Sequence, residues 1–213
     1  MTDAAFELYY WNTPNGLKAV IALEEIAVPY THHLIDLSHG EQHNPAFRQL
    51  SPDGKIPALV DISRDKLTLF ESGAILLYLA GHYPQINGQT EAERGQVLSW
   101  TLWQVGQLGP LAGQFGRFKG LTPPNPVGIN HFEQLVWRCL DVLEKRLQES
   151  EYIVGEHYTV ADIASFPWVA SDQSYLQRYQ INWRDKCPAV NRWAKLIAQR
   201  PAVEKSLNID DES

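Results

Sequence analysis

Residues 10–25 read YWNTPNGLKAVIALEE, and the junction Thr13-Pro14-Asn15-Gly16 within them decides the architecture. Before it, Phe6, Leu8 and Tyr10 alternate with Glu7, Tyr9 and Trp11, the period of two expected of a β-strand. After it, Gly16, Ala19, Val20, Leu23, Ile26 and Ala27 recur at helical offsets, and Pro29 stops the pattern. Threonine followed by proline suits a helix start. The hydroxyl caps a free backbone N–H, and proline has no N–H to leave unpaired in the first turn. A strand running straight into a helix also presents unpaired N–H groups and the positive end of the helix dipole. Such an end stabilises an anion, a thiolate included. The residues alone leave two readings open: a cap contributing about 1 kcal/mol, or a cap that also receives a ligand.

Outward from this junction, residues 30–36 form the next strand candidate, followed by a polar stretch, 38–52, rich in His, Gln, Asn and Pro. Residues 56–62 and 66–70 read as a hairpin across Ser63-Arg64-Asp65. Glu71-Ser72-Gly73 then opens a helix to about Tyr83. A βαβ unit followed by ββα predicts a compact α/β domain with a mixed sheet. Residues 84–90 are polar and turn-rich, a linker. From Glu91 onward no strand pattern appears. Helices are expected over 91–115, bent near Gly106 and Gly109-Pro110, over 130–149, from Thr159 to about Tyr175, and over 189–199. The acidic tail, 210–213, is expected to fray.

The chain has 213 residues, 44% hydrophobic and 20% charged, enough for a sizeable core without disulfide staples. A net charge of −7 argues against a nucleic-acid partner, whose phosphates need a basic face. A small anionic ligand needs only a local positive field and stays possible. The longest apolar run, 74–80, is far too short to span a membrane, and residues 1–7 lack the apolar core of a secretory signal. Cys139 and Cys187 match no metal or redox spacing and read as reduced, buried thiols of a cytoplasmic protein.

Three constellations could carry chemistry. At Thr13 and Asn15, a hydroxyl and an amide could donate to a sulfur and lower its pKa from the ordinary value of about 8.5. In Gly54-Lys55-Ile56-Pro57, proline at a strand start cannot join the ladder, and the Ile56-Pro57 bond is a candidate cis peptide. That bend would offer the Ile56 backbone to a ligand; an ordinary trans turn is the alternative. Ser72 is a good cap whose hydroxyl and N–H could hold a carboxylate, with Glu71 beside it to accept from an ammonium. Thr159-Val160-Ala161-Asp162 has the form of a capping box, so Asp162 is read as structural. His32, His33, His39 and His43 lack a completing ligand set, and no metal is expected.

These motifs, in this order and spacing, resemble the glutathione transferase family. "TPNG", "SPDGKIPALVD", "FESGAILLYLA", "WQVGQLGP" and "YTVADIASFPW" look like its bacterial Nu-class enzymes, the glutathione-dependent disulfide-bond oxidoreductases related to the yeast nitrogen-regulating prion protein. The resemblance covers residues 6–202. It implies a thioredoxin-like domain with a mixed four-stranded sheet in residues 1–86, then an all-helical domain in 91–213. It implies glutathione as co-substrate, a homodimer, and a small disulfide or electrophile as second substrate. Thr13 and Asn15 would face the glutathione sulfur, and Gln42 would make a polar contact. Lys55 and Ile56 would hold the glycyl carboxylate and cysteinyl backbone beside Pro57, and Glu71 and Ser72 the γ-glutamyl end. Tyr10, Trp103 and Phe115 are expected to wall the electrophile pocket. No cysteine lies near residue 13, so disulfide exchange would use the ligand's thiol. Conjugation of electrophiles, peroxide reduction, and a regulatory binding role remain alternatives.

Overall fold

The computed structural model describes residues 4–172 and 174–209. The acidic tail lies outside them. Strand β1 (Phe6–Tyr10) leads to α1 (Pro14–Ile26) and β2 (Tyr30–Leu34), then α2 (Pro45–Leu50), β3 (Ala58–Asp61), β4 (Leu67–Phe70) and α3 (Ser72–His82). The sheet order is β2-β1-β3-β4, with β1 parallel to β2 and antiparallel to β3, and β3 antiparallel to β4. This is the mixed thioredoxin-like sheet that the sequence predicts.

Alternation decides which face of β1 is buried. Phe6, Leu8 and Tyr10 point into the core, against Leu17, Ile21 and Ile75. Edge strand β2 is largely exposed, and its His32 and His33 ring-pack against Tyr10 and Tyr9 of β1. The short helix α2 falls within the stretch whose polar composition reads as loop. Asn44 caps it by accepting from Ala46 N–H at 3.0 Å, and Phe47 anchors it in the core.

Helices follow: α4 (Glu91–Trp103), α5 (Gly109–Lys119), α6 (Pro126–Gln148), α7 (Val160–Val169), α8 (Tyr175–Arg178), α9 (Pro188–Ala198) and α10 (Pro201–Leu207). Between α4 and α5 the chain does not break. It passes through a π-helical turn, Gln104–Leu108, where a bend is expected from Gly106 and Gly109-Pro110. Such turns widen the helix by one residue and occur often at functional sites. Helix α7 is buried all round and has the predicted capping box: Ala161 N–H donates to Thr159 Oγ1, and Thr159 N–H donates to Asp162 Oδ2 at 3.0 Å. Asp162 also accepts from Ile153 N–H and Trp193 Nε1, both at 2.9 Å, so its carboxylate ties α7 to α9. The expected helix to Tyr175 ends early, at Val169, where Ser174 Oγ donates to Trp168 C=O and caps the separate turn α8.

Helix α1 joins the two halves. It packs on α3 beneath the sheet and on α7 and α10 from the helical half. Arg200 closes this seam through a bidentate pair with Glu25, at 2.6 and 2.7 Å, while stacking 3.8 Å over the Tyr158 ring. The start of α1 is thereby held at the junction between the halves.

Candidate functional site

The loop after β1 turns sharply into α1. Thr13 sits at the cap with extended backbone (φ −136°, ψ 163°), and Gly16 N–H donates to its Oγ1 at 3.2 Å. Glycine is required at position 16. A β-carbon there would come 2.1 Å from the Trp11 carbonyl oxygen. The Thr13 hydroxyl reaches the same carbonyl only at 3.4 Å, so its hydrogen is weakly held and available to a better acceptor.

Asn15 stands on the first turn of α1, and its orientation is fixed from the helical half. Trp168 Nε1 donates to Asn15 Oδ1 at 3.1 Å. An indole nitrogen can only donate, so the amide oxygen must face it and the amide NH₂ is turned away. The hydroxyl of Thr13 and the amide of Asn15 thus stand as donors at a helix start, with the helix dipole behind them.

A cleft of about 330 Å³ opens over this point, lined by Thr13, Pro14, Asn15, Leu37, Gln42, Gly54, Lys55, Ile56, Trp168 and Tyr175. A smaller hollow of about 50 Å³ shares Asn15, Lys55 and Ile56 and continues to Ser51, Asp53, Phe70, Glu71 and Ser72. The two make one elongated groove along the sheet's end. Wider hollows of about 560 Å³ beside α10 and about 500 Å³ along α9 lie away from the α1 start.

The groove's middle is built by the chain before β3. Ser51 Oγ donates to Lys55 C=O at 2.8 Å and accepts from Lys55 N–H, closing a loop in which Gly54 has φ +63°. The Ile56-Pro57 bond is cis. Among the described residues, the N–H and C=O of Ile56 join no backbone hydrogen bond. Lys55 is exposed and ion-paired with Asp53. The Gln42 carbonyl oxygen is buried at the groove wall with no hydrogen-bond partner among the described residues.

At the far end, Glu71 has φ 71° and ψ 114°, outside the regions an L-residue favours. Holding a non-glycine residue there costs on the order of 1–3 kcal/mol and is a mark of functional constraint. The turn leaves Glu71 exposed at the groove and brings Ser72 down as the first residue of α3. Behind Ser72 lies Lys18 of α1, 1% exposed, with Nζ 3.3 Å from Ser72 Oγ and 2.6 Å from Gln104 Oε1. Burial lowers the Lys18 ammonium to about 7, against a small opposing pull from Glu71.

Thr13, Asn15, Gln42, Lys55, Ile56, Glu71 and Ser72 therefore lie along one groove, with Pro57 at the cis bond behind Ile56. Tyr10, Trp103 and Phe115 do not line it. Tyr10 is 1% exposed in the sheet core, where strand alternation sends it inward. Phe115 is fully buried, edge-on to Tyr179, and Trp103 packs against Trp100. The wall contributed by the helical half is instead Trp168 and Tyr175. Because α7 is buried on every face, no periodicity in the sequence marks which of its residues meets the groove.

No sulfur of the chain reaches this place among the described residues. Cys139 is buried on α6, where loss of solvent pushes its thiol up to about 11, and Cys187 is buried at the start of α9. Among the described residues no group of three His, Cys, Asp or Glu side chains is arranged to hold a metal ion.

Residues 4–81 match the model of the glutathione S-transferase N-terminal domain, and residues 133–201 that of the C-terminal domain. The disulfide-bond oxidoreductase YfcG of Escherichia coli is 41% identical over 206 residues, covering 94% of each chain. A glutathione transferase of Burkholderia graminis, crystallised with two glutathione molecules per subunit, superposes with a TM-score of 0.91 at 36% identity. That match covers 98% of this chain and 89% of the other. A glutathione transferase of Pseudomonas putida, with one glutathione disulfide per subunit, gives 0.88 at 36% identity, covering 98% and 93%.

Proposed function

The chain belongs to the glutathione S-transferase family, and from that premise we propose that it is a glutathione-dependent disulfide-bond oxidoreductase of the Nu-class type. One observation carries the reading: oriented donors converge at the α1 start on a groove that no sulfur of the chain reaches among the described residues. The reacting thiol must come from the ligand. Glutathione would lie along the groove with its sulfur at Thr13 and Asn15 and its cysteinyl backbone against Ile56. Its glycyl end would meet Lys55 and Gln42, and its γ-glutamyl end Glu71 and Ser72. Backbone pairing in the middle and charge at the ends is a strand-addition mode of binding.

The bound thiolate attacks one sulfur of a disulfide, forming a mixed disulfide with glutathione and releasing the other half as a thiolate, which takes a proton from water. A second glutathione attacks the mixed disulfide, so that one glutathione disulfide leaves and the substrate's second thiol is freed. The two-glutathione and glutathione-disulfide complexes of the similar transferases support a site large enough for both steps. Trp168 and Tyr175 would form the wall against which the second molecule lies. Conjugation of electrophiles and peroxide reduction would use the same thiolate and are the secondary activities of this reading.

The division of labour follows the fold, with residues 1–86 binding glutathione and residues 91–213 supplying the facing wall. Exposed Phe70, Leu98 and Leu102, at 42%, 46% and 53%, support a homodimer in which a second copy covers them. Two free buried cysteines suit a reducing, cytoplasmic setting.

The test is reduction of a small disulfide such as bis(2-hydroxyethyl) disulfide, with glutathione turnover coupled to glutathione reductase. Steady turnover above the uncatalysed rate is expected. Retention on immobilised glutathione without turnover would instead make the protein a binding module.

A further inference from the structure

Lys18 is a buried cation with no anion to neutralise it. Its side chain enters from the second turn of α1 and ends among Ser72 of α3, Gln104 of the π-helical turn and the Trp168 ring of α7, 5.8 Å from the ring centroid. Glu71 is the ionisable group that acts on it electrostatically, from an exposed position across the Ser72 turn, and it forms no ion pair with Lys18. Fully buried lysines are rare unless paired. The arrangement is built rather than incidental: the π-helical turn brings Gln104 inward, and its Oε1 holds Nζ at 2.6 Å even though its Nε2 is left buried without a partner. The unpaired charge lies directly behind the Ser72 hydroxyl, and Ser72 lines the narrow end of the groove.

We propose that Lys18 is the counter-cation of the ligand carboxylate received at Ser72, a positioning residue acting through the Ser72 hydroxyl, and that binding this carboxylate draws a proton from solvent onto the Lys18 amine. The inference rests on the reading of the groove as a glutathione site, and the carboxylate is that of the γ-glutamyl residue. An ammonium can only donate. When Lys18 is charged, Ser72 Oγ accepts from it and the hydroxyl hydrogen is turned outward to the ligand. When Lys18 is neutral, its lone pair accepts from Ser72, and the hydroxyl hydrogen is turned inward. The charged form therefore binds the carboxylate and the neutral form does not favour it. Burial holds Lys18 near 7, so both forms are populated around neutral pH and a bound anion shifts the balance toward the ammonium.

The experiment is isothermal titration calorimetry with S-methylglutathione, whose blocked sulfur removes the thiol's own titration. Binding is measured between about pH 6 and pH 8.5 in buffers of different ionisation heat, for the native protein and for Lys18→Met. Native protein should take up more protons than the variant at the alkaline end. Its affinity should fall at least about threefold more steeply across the range, converging there with that of Lys18→Met. A second reading uses native protein alone. The S-methyl analogue in which γ-aminobutyrate replaces γ-glutamate keeps the ammonium but lacks the carboxylate, and its binding should lose the extra proton uptake. Equal proton uptake for both ligands, or parallel pH profiles for both proteins, overturns the inference while leaving the glutathione site intact. Failure of native protein to bind S-methylglutathione at any pH overturns the site reading and the inference with it.

Discussion

Replacing Lys18 by methionine keeps an unbranched side chain one atom shorter and removes its charge. Burial lowers Lys18 from an ordinary 10.5 to about 7. Below about pH 7 the folded and unfolded chains both hold the proton; between about 7 and 10.5 only the unfolded chain does. Stability therefore rises with pH across that window and is lost as pH falls through it. A group that is protonated only in the unfolded state contributes about 1.4 kcal/mol per pH unit. Half a proton is still bound in the folded chain at the lower limit, so the gain between pH 7 and pH 10 is on the order of 3 to 4 kcal/mol. Every other titration is shared with Lys18→Met, so the difference between the two proteins isolates it. Urea unfolding at fixed protein concentration, repeated across this range, gives both curves. Native protein should gain on the variant by about that amount as pH rises, and saturating S-methylglutathione should flatten the gain. A difference that stays constant with pH would refute the buried, unpaired amine.

Further expectations concern the site and its frame. Thr13→Ala and Asn15→Ala should each lower disulfide-reductase turnover tenfold or more, on the order of 1.4 kcal/mol of lost thiolate stabilisation, measured at saturating glutathione. Thr13→Ala should also cost about 1 kcal/mol of folding stability through the lost cap, and Asn15→Ala about 1 kcal/mol through the Trp168 N–H left without its acceptor. Trp168→Phe keeps an aromatic wall but removes the N–H that orients the Asn15 amide. It should reduce turnover several-fold while binding of S-methylglutathione changes little. Asp162→Ala leaves three buried donors without their acceptor. It should cost about 3 kcal/mol or more by urea unfolding.

Local chemistry was legible from the sequence; contacts between distant segments were not. The Thr13-Pro14 helix start and the Thr159–Asp162 box are read from neighbours in the chain, where a cap needs only the right residue at the right offset. The cap expected of Ser72 is not made, because Glu71 holds the cap position and Ser72 is the first residue of α3, its hydroxyl accepting from Lys18. The β1 alternation predicts its buried face, and the same alternation sends Tyr10 into the core, away from the groove. Trp168 was hidden because α7 is buried on every face, so its one residue aimed at Asn15 carries no periodic mark. Lys18 was hidden for the opposite reason. A single lysine on an apolar helix ordinarily reaches its charge out to solvent, and only the tertiary packing of Gln104 and Trp168 turns it inward. Helix α2 escaped because capping by Asn44 and one anchor, Phe47, outweigh a polar composition.

The central claim is that the α1 start, with Thr13 and Asn15, stabilises a glutathione thiolate. The ultraviolet absorbance of the thiolate, followed against pH in the protein–glutathione complex, tests it directly. The account predicts a bound-thiol pKa at least about one unit below the free value of about 8.5, moving back toward it in Asn15→Ala. A bound thiol that titrates with free glutathione, unchanged by Asn15→Ala, would contradict it.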